Sequence, residues 1–450
     1  MRSLRIVALS WILAGGCVAG QPAAPVPTVT APDTAWVARS TIYEVFVQDF
    51  SPRGDLRGVI EGLDRIQAVG ATVVWLMPVQ PVSLEKRKGT LGSRYAISDY
   101  YAIDPAYGTT EDFRALVQAV HERGMKLILD WVPDHTGWDH VWIRQHPDYF
   151  RRNDRGELMV PLDPQGKATD WTDVVQLDYG NAALRQAMID AMRHWLVEYG
   201  IDGFRVDVAG FVPYAFWREA IPALRSAVPR RIMLLAEWGD LEMHRVGYDL
   251  TYAWDTYHRL KAVWDGGPAS SFVEAELREL AGMPPAAMRL RFSTNHDETA
   301  WDAPPVIRFK GPDGARAAFV AMALLPGRPL IYNGQEVESP QRLGLFEKEA
   351  ILWNQPRAET ARAFYRRVME LARTEPALVS GNLRPITTSA PEDIIAYRRG
   401  DVVVLVNPRP RLISITLTGF DPAGTRELLS GTTQPGGRVI LSPYAAKVLK

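Results

Sequence analysis

The sequence contains one cysteine, Cys17, so no intrachain disulfide can form. It has no surplus of either charge. The 51 basic and 52 acidic residues leave a formal net charge of −1, which gives no reason to invoke nucleic acid or an anionic membrane surface as a partner. Past the amino end there is no apolar run long enough to span a bilayer, and no internal repeat is visible. A Ser–His signature is missing as well, which directs attention away from acyl transfer. Aromatic side chains, by contrast, are abundant: 14 Trp, 16 Tyr and 14 Phe, residues that fill cores or stack on sugar faces.

The amino end has the pattern of an export signal. Arg2 and Arg5 precede an apolar run over residues 6–14, which is too short to span a membrane, and small residues follow. Leu13-Ala14-Gly15-Gly16-Cys17 resembles the cleavage box of bacterial lipoproteins, in which the cysteine becomes the acylated amino terminus. Residues 1–17 are therefore read as a lipoprotein-like signal peptide. The resemblance implies export with membrane attachment through a lipidated Cys17, in the periplasm or at the cell surface. Ordinary secretion with Cys17 discarded is the alternative. Residues 18–40, rich in Pro, Ala, Thr and Val, form a linker.

From residue 41 short β-rich runs alternate with segments of helical period. The runs cover 42–46, 72–77, 126–131, 203–209, 231–236, 248–252, 289–293 and 329–332. Eight such βα units close a (β/α)₈ TIM barrel over residues 41–375. A polar, turn-rich stretch at 138–178 breaks the period after the third strand and reads as an inserted B excursion. Residues 376–450 change character to short strands separated by turns, a C-terminal antiparallel β-sandwich domain.

The chemistry begins in Gly203-Phe204-Arg205-Val206-Asp207-Val208-Ala209. With a strand period of 2, Arg205 and Asp207 share one face, a costly arrangement on a buried strand unless that face opens into a site. The third strand ends Asp130-Trp131-Val132-Pro133-Asp134-His135, the fifth ends in Glu237 and the seventh in Asn295-His296-Asp297, while the sixth brings none. In a barrel, these carboxyl ends form one rim. Three carboxylates without a Cys or Ser nucleophile fit acetal cleavage, which needs one protonated acid and one ionised carboxylate. Arg205 beside Asp207 predicts an ionised nucleophile. Glu237, set between an apolar run and Trp238, predicts a raised pKa and a general acid.

These motifs resemble those of the α-amylase family of glycoside hydrolases (family 13 type). Its Asp-x-Val-x-Asn-His is matched by residues 130–135 apart from Asp134. Its Gly-Phe-Arg-x-Asp is matched at 203–207, its strand-terminal acid at Glu237 and its Asn-His-Asp at 295–297. The resemblance implies Asp207 as nucleophile, Glu237 as acid/base and Asp297 as transition-state stabiliser. It further implies that Arg205 orients Asp207, that His135 and His296 bind sugar hydroxyls, and that Tyr95 stacks on the sugar at the cleavage point. Trp138, Trp142, Trp238 and Trp301 are candidate sugar platforms. Ala96 stands where family exo-glucosidases carry Asp, which favours endo-acting hydrolysis of α-1,4-glucans, an α-amylase activity. The alternatives are neopullulanase-like hydrolysis, an oligosaccharide α-glucosidase, glucanosyl transfer or a non-catalytic glycan-binding protein. Gly210 and Phe211 replace the Lys-His that follows the nucleophile in many amylases. The resemblance also implies a structural Ca²⁺, for which Asp134 and Asp178 are the candidate ligands.

Overall fold

A computed structural model describes residues 35–450. The signal peptide, Cys17 and most of the linker lie outside the described residues. Eight parallel strands close a barrel in the order β1-β8-β7-β6-β5-β4-β3-β2. They are β1 Ile42–Val45, β2 Val73–Leu76, β3 Lys126–Trp131, β4 Gly203–Val206, β5 Met233–Ala236, β6 Leu250–Tyr252, β7 Met288–Arg291 and β8 Arg328–Tyr332. Parallel strands packed under helices are buried on both faces, so they read as near-continuous Val, Ile and Leu runs rather than as alternation. Val73, Val74, Trp75 and Leu76 are all fully buried.

Three of the early helices start where short polar side chains supply the missing acceptors. Thr109 and Asp112 form a reciprocal capping box at Thr110–Glu122, and the Asn181 side chain accepts from Ala183 and Leu184 at Ala182–Glu198. The latter helix buries Leu184, Met188, Met192 and Trp195 on one face, at helical spacing. Leu56–Ala68 starts after Asp55, whose side chain accepts from Gly58.

The strand predicted at 203–209 stops at Val206, where pairing with Ala236 ends. Asp207 is thus the first residue beyond the ladder, facing the mouth of the barrel. Gly203 is required at the other end of β4. Its φ is +147°, and a Cβ there would lie 1.9 Å from the carbonyl oxygen of Met233. The excursion after β3 is pinned by a two-stranded antiparallel pair, His135–Gly137 with Val174–Gln176, so its frame begins at His135.

Beyond the last barrel helix, Ala358–Thr374, lie a four-stranded antiparallel sheet and a two-stranded one. Leu383–Pro385 and Ala446–Leu449 are strands that the sequence pattern does not reveal, being short and half exposed. Ala396, Val403, Leu405, Ile415, Val439 and Leu441 form one apolar cluster between the sheets. Arg399 ties the larger sheet to the barrel by donating to the carbonyls of Leu324 and Leu378 at 2.9 and 2.8 Å.

Candidate active site

Arg205, fully buried, is the centre of the site. Its Nη1 donates to Asp130 Oδ1 at 2.9 Å and to Asp207 Oδ1 at 2.8 Å. Its Nη2 lies 2.9 Å from Glu237 Oε1 as an ion pair that is not aligned as a hydrogen bond. Its Nε donates to the Tyr252 hydroxyl at 3.2 Å. One guanidinium therefore faces three carboxylates, and β6, which the sequence left without a part in the site, contributes through Tyr252. Asp130 is held from the other side by Trp75 Nε1 at 3.1 Å and the Tyr95 hydroxyl at 3.2 Å.

Val208, just after Asp207, has φ +33°. A β-branched residue in left-handed backbone is strained, and such strain concentrates at functional sites. Here it aims the Val208 N–H at Glu237 Oε2, 2.8 Å away. The carboxylates from β4 and β5 are thus joined by a backbone donor as well as by Arg205.

Burial raises the pKa of Glu237, Arg205 opposes this, and Asp297 adds to the rise. That agrees with the sequence expectation. Asp207 departs from it: burial first, then the neighbouring Glu237, raise its pKa well above the usual carboxylate range and outweigh Arg205. Sequence reasoning paired Arg205 with Asp207 alone, whereas the cation is divided among Asp130, Asp207 and Glu237. Two buried carboxyl groups on one guanidinium titrate as a pair, each pushed upward by burial.

His296 sits on Glu44, which lies within β1. The Nδ1–Oε1 distance is 2.5 Å, and Nε2 meets the Tyr95 hydroxyl at 2.8 Å and Asp297 Oδ2 at 3.4 Å. Burial opposes a charge on this ring, but Asp297 and Glu44 overcome that and push its pKa up to about 9. The ring is an imidazolium at neutral pH, and Tyr95 stacks on it with centroids 5.5 Å apart.

A cleft of about 610 Å³ opens over these groups and brings Tyr95, His135, Asp207, Glu237, His296 and Asp297 onto one wall system. Arg205 lies behind that wall. Asp134 and Asp178 do not join it. Asp134 lies 3.4 Å from the His135 ring, and Asp178 Oδ1 accepts from Gly180 N–H in a turn. Among the described residues no group of three or more His, Cys, Asp or Glu side chains is arranged to hold a metal ion. Those side chains therefore do not by themselves form the expected Ca²⁺ cage.

Of the four tryptophan platforms expected, Trp301 lines the cleft and is well exposed. Trp142 is buried against Tyr100 and Tyr149. Trp138 donates to the Thr172 carbonyl beneath Lys86, and Trp238 packs on Gly210. Sequence reasoning gave no role to Glu44, Asp130, Tyr252 or Trp171. A carboxylate within the four-residue apolar strand Ile42–Val45 was the available sign for Glu44.

The family described as "Alpha amylase, catalytic domain" matches residues 30–229. Alpha-amylase MalA of Haloarcula japonica is 28% identical over 88% of this chain and 59% of its own length. Trehalose synthase/amylase TreS of Mycobacterium tuberculosis is 35% identical over 42% of this chain and 35% of its own. The chain thus spans only part of these curated relatives. The crystal structure of an α-amylase from Lactobacillus plantarum superposes with a TM-score of 0.79 at 28% identity, covering 92% of this chain and 99% of that one.

Proposed function

Because this chain belongs to the α-amylase family of glycoside hydrolases, we propose that it is a retaining endo-hydrolase of α-1,4-glucosidic bonds in starch-like glucans. The observation that carries this reading is the single guanidinium of Arg205 touching both Asp207 and Glu237 beneath an open cleft. Contact with one small cation keeps the two carboxyl groups close together, as a covalent glycosyl intermediate requires.

In this mechanism Glu237 holds the proton that it donates, and Asp207 is the carboxylate directed by Arg205. Asp207 Oδ attacks the anomeric carbon while Glu237 delivers its proton to the departing glycosidic oxygen. A glycosyl ester forms on Asp207 and the aglycone leaves as an alcohol. Glu237, now ionised, takes a proton from water, whose oxygen attacks the anomeric carbon, breaks its bond to Asp207 Oδ and frees Asp207. The imidazolium of His296 and the carboxylate of Asp297 face the sugar as the oxocarbenium-like charge develops and fades. Arg205, Glu44 and Asp130 act through these groups as positioning residues.

Product profiling on starch, pullulan and maltotriose, with Asp207→Asn as the control, tests the reading. Internal cleavage of starch into mixed oligosaccharides supports it; release of glucose alone from chain ends overturns the endo assignment. Longer products from maltotriose identify glucanosyl transfer. The amino-terminal pattern supports export with an acylated Cys17, for which a diacylglyceryl mass on the mature first residue is the expected result.

A further inference from the structure

The two residues that replace the Lys-His pair, Gly210 and Phe211, belong to an aromatic wall on the acid side of the cleft. Trp238 directly follows Glu237 and lies over Gly210, so closely that a Cβ at 210 would be 2.1 Å from its Cε2. No side chain fits at 210 while Trp238 is in place. Phe211 meets Trp238 edge-on, with centroids 5.9 Å apart and an interplanar angle of 86°. On its other side Phe211 carries Trp171, stacked at 5.5 Å and 14°. Trp171 comes from the excursion after β3, is half-buried, and lines the same cleft as Val208 and Glu237.

The segment that presents Trp171 is held by two contacts just after it. Lys88 Nζ reaches across the cleft to Asp173 Oδ1 at 2.9 Å, where the carboxylate is nearly buried. The Trp138 indole donates to the Thr172 carbonyl at 3.0 Å, with Lys86 Nζ 2.9 Å above the ring. The indole of Trp171 therefore presents an apolar face to the cleft, with the His135 ring 5.5 Å away on one side and Phe211 linking it to Trp238, the neighbour of the general acid, on the other. The glycosidic oxygen must reach Glu237 to be protonated, so the sugar that departs with that oxygen passes over this face.

We propose that Trp171, seated on Phe211, is the platform for the first glucosyl unit on the leaving-group side, making it a specificity-determining residue; this rests on the hydrolase reading above. The C–H face of an α-glucosyl ring gains dispersion and desolvation against the indole without a counter-charge. Stacking thus takes the place of the cation missing at 210. It selects substrates with at least one flat-faced sugar beyond the scissile bond.

The test compares two substrates that share the glycone: maltopentaose, and α-maltosyl fluoride, whose leaving group is one atom and has no face to stack. Trp171→Ala is expected to lower the ratio of kcat/KM for maltopentaose to that for the fluoride about tenfold, the worth of one stacking contact. The loss should fall mainly in KM, and Trp171→Phe, which keeps a flat ring, should retain most of the ratio. An equal fall on both substrates, with Trp171→Phe folded and equally impaired, overturns the platform. So does a ratio that does not move. Wild-type protein that turns over neither substrate overturns the hydrolase reading itself and the platform with it.

Discussion

Substituting Glu44 by Gln tests whether the imidazolium of His296 is built by its neighbours. The ring's ordinary pKa of 6.5 is raised to about 9 although burial works against protonation. At ~1.4 kcal/mol per pKa unit that rise is a preference of ~3 kcal/mol for the charged ring. Because the folded-state pKa is raised, this stabilisation is complete below pH 6.5 and disappears as pH climbs through 9. Glu44 faces Nδ1 at 2.5 Å, and Asp297 faces Nε2 at 3.4 Å. Glu44→Gln keeps an acceptor on Nδ1 but removes one of the two charges. The ring pKa should then fall to 6.5 or lower, since burial is no longer overcome. Two measurements follow. In urea melts between pH 6.5 and 9.5 the wild type should lose ~2–3 kcal/mol more than the variant. At pH 7.5, kcat/KM on maltopentaose should drop by about 10- to 100-fold, because a charged donor facing the sugar has become neutral. A His296 resonance in Glu44→Gln that still titrates near pH 9, or parallel stability curves, would refute the reasoning.

Glu237→Gln should abolish turnover of maltopentaose yet retain formation of the glycosyl ester from α-maltosyl fluoride, whose fluoride leaves without a proton; equal loss on both would assign the acid elsewhere. Since Asp134 and Asp178 do not converge on a common point with a third acidic or histidine side chain, exhaustive dialysis against EDTA should leave the Tm unchanged within about 1 °C. A Tm that falls on chelation and is restored by Ca²⁺ would instead reveal a site made largely of backbone carbonyls.

Much of the barrel is legible in the sequence because parallel strands under helices are apolar on both faces. Asp207, Glu237 and Asp297 were legible for a related reason: carboxylates are costly at the end of an apolar run, and the end of a strand is where a barrel opens. What escaped was set by groups far apart in the chain. Glu44 meets His296 across 252 positions, so its single charge in a short strand has no visible partner. The upward push on the Asp207 pKa was not visible because Arg205 was assigned to its nearest carboxylate in sequence, whereas folding brings Asp130 and Glu237 to the same cation. Gly210 read as a missing lysine; its physical reason is the Trp238 ring, which arrives from the following strand. Trp171 lay in the one stretch without periodicity, where nothing in the local pattern separates a cleft residue from a surface one.

The central claim is that Asp207 is the atom-bearing nucleophile, with Arg205 as its guide and Glu237 as its proton partner. Trapping the covalent intermediate tests it most directly. A 2-deoxy-2-fluoro maltosyl fluoride forms the ester faster than water can hydrolyse it, and peptide mass spectrometry then locates the sugar. The prediction is one added fluoromaltosyl mass on Asp207, absent from Asp207→Asn. A label on Glu237 or Asp297, or a first-formed product of inverted anomeric configuration with no label at all, would contradict it.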